Sequence, residues 1–356
     1  MRVNFVAAIL INSYAVALTL PSSPRFVAPL IEEGMQVAFE PSKSMLLYLP
    51  GFDGTLLSPF LQFPELGTSF NVRGLTVPMN DRSSFDSLAD FVTHEIQSGS
   101  TGYYLVGESF GALLALEVVS RLELSGHGEL CLGLTLVNPA TSYARSELAS
   151  KGPPVSRLRG PLYYLGLVSL LPLFVDSYQL PQLMKIISGE LLPSIIDSPE
   201  REAYMGRIAC SLYLRLATMP QPTLVWRLEE WLSKGCSTLS DERIKNIICR
   251  TLVVVGDEDK VLPSTSEAAR LTDLMLNCAV HVVAGAGHSA TCGSRTDLAA
   301  IMRGRFTELQ GAGLRTRMKE EAAASTGVEL GMVRRGHKAL SPLQYWNQEY
   351  MVNSGG

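Results

Sequence analysis

The chain has 356 residues, 46% of them hydrophobic and only 18% charged, with a formal net charge of −4. That balance is ample for a substantial buried core in one large domain. With no basic run interleaved with aromatics, it gives no reason to expect nucleic acid as a partner.

At the amino terminus, Arg2 precedes the apolar run Val3 to Ile11, and Ala15-Val16-Ala17 offers a small-x-small cleavage site. Residues 1–17 therefore read as a secretory-type targeting segment, with the mature chain starting near Leu18. The rival reading, a first core element, fits less well because the strand pattern starts only near Gln36. A leader followed by the basic, serine-containing Ser22 to Arg25 suits import into a plastid reached through the secretory route. Secretion or an endomembrane lumen is the alternative.

The main domain is expected over residues 36–310. Met45 to Leu49 reads as an early strand that runs into Pro50, Gly51, Phe52, Asp53 and Gly54. Tyr103 to Val106 reads as another strand, and Ala112 to Leu122 as a helix buried on most of its surface. Between these two stand Gly107, Glu108, Ser109, Phe110 and Gly111, a Gly-x-Ser-x-Gly elbow. A serine presented at the top of a strand occupies a strained turn, and small neighbours let strand and helix approach. The elbow predicts acyl transfer through Ser109.

The segment Ala144 to Asn246, expected after the sixth strand, is too long for a simple connection and reads as a helical cap. Pro161 to Val175 is strongly apolar and Arg201 to Leu216 gives a second helical stretch. The first run fails as a membrane span on length and on Pro172, since about 20 apolar residues are needed. As a cap over the serine it favours long acyl chains and contact with a lipid interface; the alternative is a cap that only packs.

Thr251 to Val255 is a β-branched strand that leads to Gly256, Asp257, Glu258 and Asp259. A helix over Ser264 to Met275 and a strand over Ala279 to Val283 follow, then the loop Ala284 to His288. A carboxylate beyond one strand end can reach an imidazole on the next loop, and the order Ser, Asp, His is that of α/β-hydrolases. Asp259 is the expected acid, with Asp257 as a substitute; Glu258 is expected to face solvent. Among five histidines, His288 alone sits on a glycine-rich loop after a late strand. His94 falls in an amphipathic helix, His127 in a polar turn, His281 inside a strand and His337 in the basic tail. The negative charge of an acyl-transfer intermediate needs backbone donors. Phe110 N–H and Phe52 N–H are the candidates.

Six cysteines, Cys131, Cys210, Cys236, Cys249, Cys278 and Cys292, lack paired Cys-x-x-Cys spacing, so no metal is expected and no cofactor is called for. Residues 311–356 read as a terminal helix and a loosely held tail.

Taken together, Leu49 to Thr55, the stretch Val72 to Val92 with Pro78, Asp81-Arg82 and Phe85, the elbow Gly107 to Gly111, and Val137-Asn138-Pro139-Ala140-Thr141-Ser142 resemble the plastid esterase/lipase/thioesterase family, which includes the phytyl ester synthases of plants. The likeness runs from about Met45 to Phe306. It implies Ser109 as nucleophile, Asp259 as acid, His288 as base, and Phe52 with Phe110 as oxyanion donors. It also implies movement of fatty acyl groups onto or off phytol, diacylglycerol or related lipids. The sequence departs from the family at Ala112, where a glycine is common, and at Ser289, Ala290, Thr291 and Cys292, which are less apolar than expected. Plant members continue into an acyltransferase domain with a His-x4-Asp motif. No histidine here has that partner, so synthesis by such a domain is not expected.

The expectation is an α/β-hydrolase fold: a mostly parallel sheet, helices on both faces and an inserted cap. It would work on acyl lipids or acyl thioesters. The alternative is a hydrolase scaffold that binds a small molecule without turnover.

Overall fold

The computed structural model describes residues 23–29, 39–59, 62–99, 101–174, 216–291 and 296–309. Residues 1–17, expected as a targeting segment, residues 311–356, expected as a terminal helix and tail and including His337, and Cys210 and Cys292 lie outside these residues.

Seven described strands form one sheet in the order β1-β3-β2-β4-β5-β6-β7. They are β1 (Arg25–Val27), β2 (Ser44–Leu49), β3 (Phe70–Thr76), β4 (Tyr103–Glu108), β5 (Cys131–Val137), β6 (Thr251–Gly256) and β7 (Cys278–Val283). Only β1 runs antiparallel, against β3; every other pairing is parallel. Parallel neighbours need crossover helices, which cover both faces, and this is why β4 and β6 are buried along their whole length. By contrast β7, at the sheet edge, exposes His281 and much of Val282.

The crossovers are α1 (Phe63–Ser69), α2 (Phe85–Ser98), α3 (Phe110–Leu124) and, later in the chain, α9 (Ser264–Leu274); α10 (Leu298–Arg305) follows the last described strand. Ser84 caps α2 by accepting from the Ser87 N–H. Its buried residues Phe85, Leu88, Ala89, Val92 and Ile96 recur at helical spacing and face the core, which leaves His94 exposed. Almost every side chain of α3 from Phe110 to Leu122 is buried, including Glu117, which pairs with Arg121 and Arg243.

The insertion carries α4 (Glu147–Ser156), α5 (Pro161–Phe174), α6 (Gln221–Trp226), a π-helical turn over Arg227–Ser233, α7 (Lys234–Thr238) and α8 (Asp241–Lys245). The expected helix over Arg201 to Leu216 lies outside the described residues apart from Leu216. No described helix is long and apolar enough to cross a membrane.

One expectation is corrected. The sheet begins upstream of Gln36, because β1 pairs with β3 at Arg25 to Val27; three residues at an edge are too few to show a periodic pattern. The insertion follows the fifth described strand, and the strand pattern expected near Gln36 lies largely outside the described residues.

Candidate active site

The carboxyl ends of β4, β5 and β6 and the loop after β7 converge. Ser109 stands between β4 and α3 with φ 54° and ψ −113°, a backbone state disfavoured for any residue with a side chain. Strain of this kind costs about 1–3 kcal/mol and is held only by its surroundings. Here the Ser109 N–H donates to Val137 O at 2.8 Å, and Ser109 O accepts from the N–H groups of Ala112 and Ala140, each at 3.1 Å. The elbow glycines are required by contact. A Cβ on Gly107 would lie 2.2 Å from Gly111 O, and one on Gly111 would lie 2.2 Å from Leu49 O.

Ser109 Oγ and His288 Nε2 are 3.0 Å apart, and His288 Nδ1 is 2.9 Å from Asp259 Oδ2. All three side chains are nearly fully buried. In the tautomer that these contacts select, Nδ1–H donates to the carboxylate and Nε2 accepts from the serine hydroxyl. Asp259 also accepts from the N–H groups of Val261 and Leu262, at 2.8 and 3.1 Å, and from Ser264 Oγ at 2.5 Å. Asp257 is exposed and accepts from Gly285 N–H at 2.6 Å, so the structure brings Asp259, and not Asp257, to the imidazole. Glu258 is exposed, as are His94, His127 and His281.

Burial works against the His288 imidazolium, but the charge and hydrogen bond of Asp259, aided by the Glu108 charge, outweigh it and raise its pKa above the usual 6.5. Burial likewise works to raise the Asp259 pKa. The His288 charge and the donors around the carboxylate prevail and hold it below its ordinary value.

The loop expected to supply an oxyanion donor lies beside the serine: a Cβ on Gly51 would sit 3.8 Å from Ser109 Cβ. Phe110 is the first residue of α3, where backbone N–H groups lack a carbonyl one turn earlier.

Four residues escaped the sequence reading. Glu108, the elbow's second residue, is buried and accepts from Ser58 Oγ at 2.6 Å, Tyr48 OH at 2.9 Å and Thr291 Oγ1 at 2.9 Å. Burial raises its pKa against those three hydrogen bonds. Thr291 explains why the segment after His288 is less apolar than expected, since its hydroxyl ties that loop to the elbow. Asn138, with φ 41°, donates from Nδ2 to Gly287 O and His288 O at 3.1 and 2.7 Å, and its Oδ1 accepts from Gly256 N–H at 3.0 Å. The asparagine that ends β5, followed by proline, was the available signal. Phe174, at the end of α5, places its ring 5.8 Å from the His288 imidazole in an edge-on contact.

Leu162, Tyr164, Leu165 and Val168 on the outer side of α5 are exposed, at 60, 49, 65 and 50%. A cavity of about 310 Å³, lined by Tyr143, Pro153, Val225, Leu228 and Cys236 among others, opens between α4 and α6. Neither Ser109 nor His288 lines it, so it is separate from the hydroxyl–imidazole pair. No cluster of three or more potential metal-ligating side chains occurs among the described residues.

A sequence model described as the alpha/beta hydrolase family matches residues 46–299. The chain belongs to that family. It is similar to phytyl ester synthase 1, chloroplastic, of Arabidopsis thaliana, with 31% identity over 79% of this chain and 39% of the relative. Phytyl ester synthase 2, chloroplastic, of the same plant is 28% identical over the same shares. The chain thus spans about two fifths of the length of these curated relatives. Among solved structures, MenH from S. aureus aligns with a TM-score of 0.56 at 16% identity, over 82% of this chain and 100% of that one. A bacterial membrane phospholipase A described as a virulence factor aligns with a TM-score of 0.53 at 18% identity, over 86 and 92%. At these identities the structural likenesses establish the hydrolase fold alone.

Proposed function

We propose that the chain is a serine hydrolase or acyltransferase that acts on fatty acyl esters or thioesters of lipids. The observation that carries this reading is the unbroken hydrogen-bonded row from the Asp259 carboxylate through His288 to the Ser109 hydroxyl. As Ser109 Oγ attacks the acyl carbonyl, His288 Nε2 takes its proton and Asp259 stabilises the imidazolium that forms. The backbone N–H groups of Phe52 and Phe110 receive the charge on the carbonyl oxygen. Collapse of the intermediate expels the alcohol or thiol, which leaves with the proton from His288, and the acyl group stays on Ser109. Water or a lipid alcohol then loses a proton to His288, attacks the acyl-enzyme, and releases a fatty acid or a new ester as Ser109 is restored.

Lipid substrates are supported by α5, which has no charged residue along its length and brings Phe174 against the imidazole. The same uncharged face suits contact with a lipid interface. The named activity of the plant relatives points the same way, and their chloroplastic designation supports a plastid location.

A serine-directed fluorophosphonate should label the wild-type protein and leave Ser109→Ala unlabelled. That variant should also lose roughly a millionfold in kcat. Absence of label on a folded wild-type chain would instead favour a hydrolase scaffold that binds without turnover. Incubation with acyl-CoA, galactolipid and phytol, followed by mass spectrometry, separates the two enzymatic outcomes: free acid marks hydrolysis and phytyl ester marks transfer.

A further inference from the structure

The π-helical turn of the insertion sends two side chains into the core beneath the elbow. Arg227 and Trp231 are both fully buried. The Arg227 guanidinium donates from Nη1 to Phe52 O at 2.6 Å, and from Nη2 to Pro78 O at 3.1 Å and Val77 O at 3.4 Å. Its Cζ lies 4.2 Å from the centre of the Trp231 ring. The other partner of Trp231 is Phe110: the rings are stacked 4.4 Å apart with an interplanar angle of 15°. Trp231 Nε1–H is fixed in turn by Ser83 O at 3.0 Å. Guanidinium, indole and phenyl therefore form one column, with the Phe52 carbonyl at one end and the Phe110 ring at the other.

The seat of the guanidinium is specific. It rests against the turn in which Gly54 N–H donates to Gly51 O at 3.0 Å and Gly54 O accepts from Val77 N–H at 2.8 Å. A Cβ on Gly54, whose φ is +74°, would approach the Arg227 Nη atoms to 3.1 and 3.2 Å. A buried cation is costly to desolvate, and its planar fork fixes the positions of the carbonyls that compensate it. One of those carbonyls belongs to Phe52. π-Turns such as this recur at functional sites, where the extra residue re-aims side chains.

We infer that Arg227 is a positioning residue for acyl transfer: it holds the Phe52 loop, and through Trp231 the Phe110 end of α3, at the separation from Ser109 that lets both backbone N–H groups meet the oxyanion. This inference rests on the serine-hydrolase reading above. A purely structural arginine would influence stability and ground-state binding as much as turnover. A positioning arginine acts chiefly where charge develops on the carbonyl oxygen.

The test uses the full chain, with Arg227→Met and Arg227→Lys, an acyl ester substrate, and two inhibitors of one chain length. A trifluoromethyl ketone adds to Ser109 as an oxyanion, whereas an ether analogue forms none. The expected result for folded Arg227→Met is a kcat lowered about 100-fold with KM changed less than threefold. Trifluoromethyl ketone affinity should fall in parallel and ether affinity should stay within threefold. Arg227→Lys keeps the charge without the fork and should recover about tenfold of that kcat. If Arg227→Met does not fold, Arg227→Lys carries the test, with kcat expected about tenfold below wild type and the same divergence of the two inhibitors. A folded variant with kcat within twofold of wild type, or with both inhibitors weakened equally, overturns the inference while wild-type labelling at Ser109 leaves the hydrolase reading standing. A folded wild type that neither labels nor turns over overturns both.

Discussion

Two regions meet at the Ser109–His288 pair, and they are built from unlike materials. The elbow is backbone packed on backbone: Gly107 against Gly111, Gly111 against Leu49, with no room for a methyl group at either glycine. The cap reaches the same pair with a side chain, the Phe174 ring at 5.8 Å, borne on a helix whose other face is apolar and exposed. Backbone contacts cannot be repacked, whereas side-chain contacts can be exchanged at modest cost. On the proposed function, the difference assigns the geometry of the chemistry to the elbow and the choice of acyl chain to the cap.

The most severe way to break that contrast is Gly111→Ala. Its Cβ would press on the carbonyl oxygens of Leu49 and Pro50, at 2.2 and 2.5 Å. Over-packing against backbone is expected to cost about 3 kcal/mol, seen as a lowered Tm, together with nearly all turnover. A variant with unchanged Tm and kcat would show that the elbow is no tighter than the cap.

Next in size is Asp259→Asn, which removes the charge from the row and should lower kcat about 10⁴-fold. It also sharpens the pH behaviour. In the proposed mechanism the neutral imidazole is the base, and with the His288 pKa raised the acid limb of kcat/KM should have its midpoint above 6.5 in the wild type. The residual activity of Asp259→Asn should show that midpoint at lower pH, since the raising charge is gone. The stability linkage has two signs. The stabilisation from His288 is fully present below the unfolded value near 6.5 and is lost as pH rises through the folded pKa. That from Asp259 is present above its unfolded 3.8 and is lost as pH falls through the depressed folded value. Rate profiles and thermal melts across pH check both.

The smallest effect belongs to the cap. Phe174→Ala should cost about 1 kcal/mol of substrate contact, or about fivefold in kcat/KM, carried by KM. It should also flatten the preference among acyl chain lengths. A loss confined to kcat would move Phe174 from selection to chemistry.

Much of this was legible because the informative features are local. The elbow announces itself in five consecutive residues, and the burial of α3 in its mostly apolar sequence. The strand ends before Asp259 and His288 follow from β-branched patterns. What the sequence hid depends on contacts between distant residues. Nothing local says that Glu108 will be held by Tyr48, Ser58 and Thr291, or that Asn138 will bind the backbone after β7, since those partners are separated by dozens of residues. The choice between Asp257 and Asp259 turned on which way a turn points its carboxylates, and composition is silent on that. β1 was hidden by brevity.

The end of β5 has a consequence for how the site endures thermal motion. Val137 O fixes the Ser109 peptide, and the next residue, Asn138, grips the backbone carbonyls of Gly287 and His288. Ser109 and the His288 backbone are thus referenced to adjacent residues at the end of one strand. When the sheet breathes, oxygen and imidazole ride together as passengers on the same platform, so their separation is spared while their absolute positions drift.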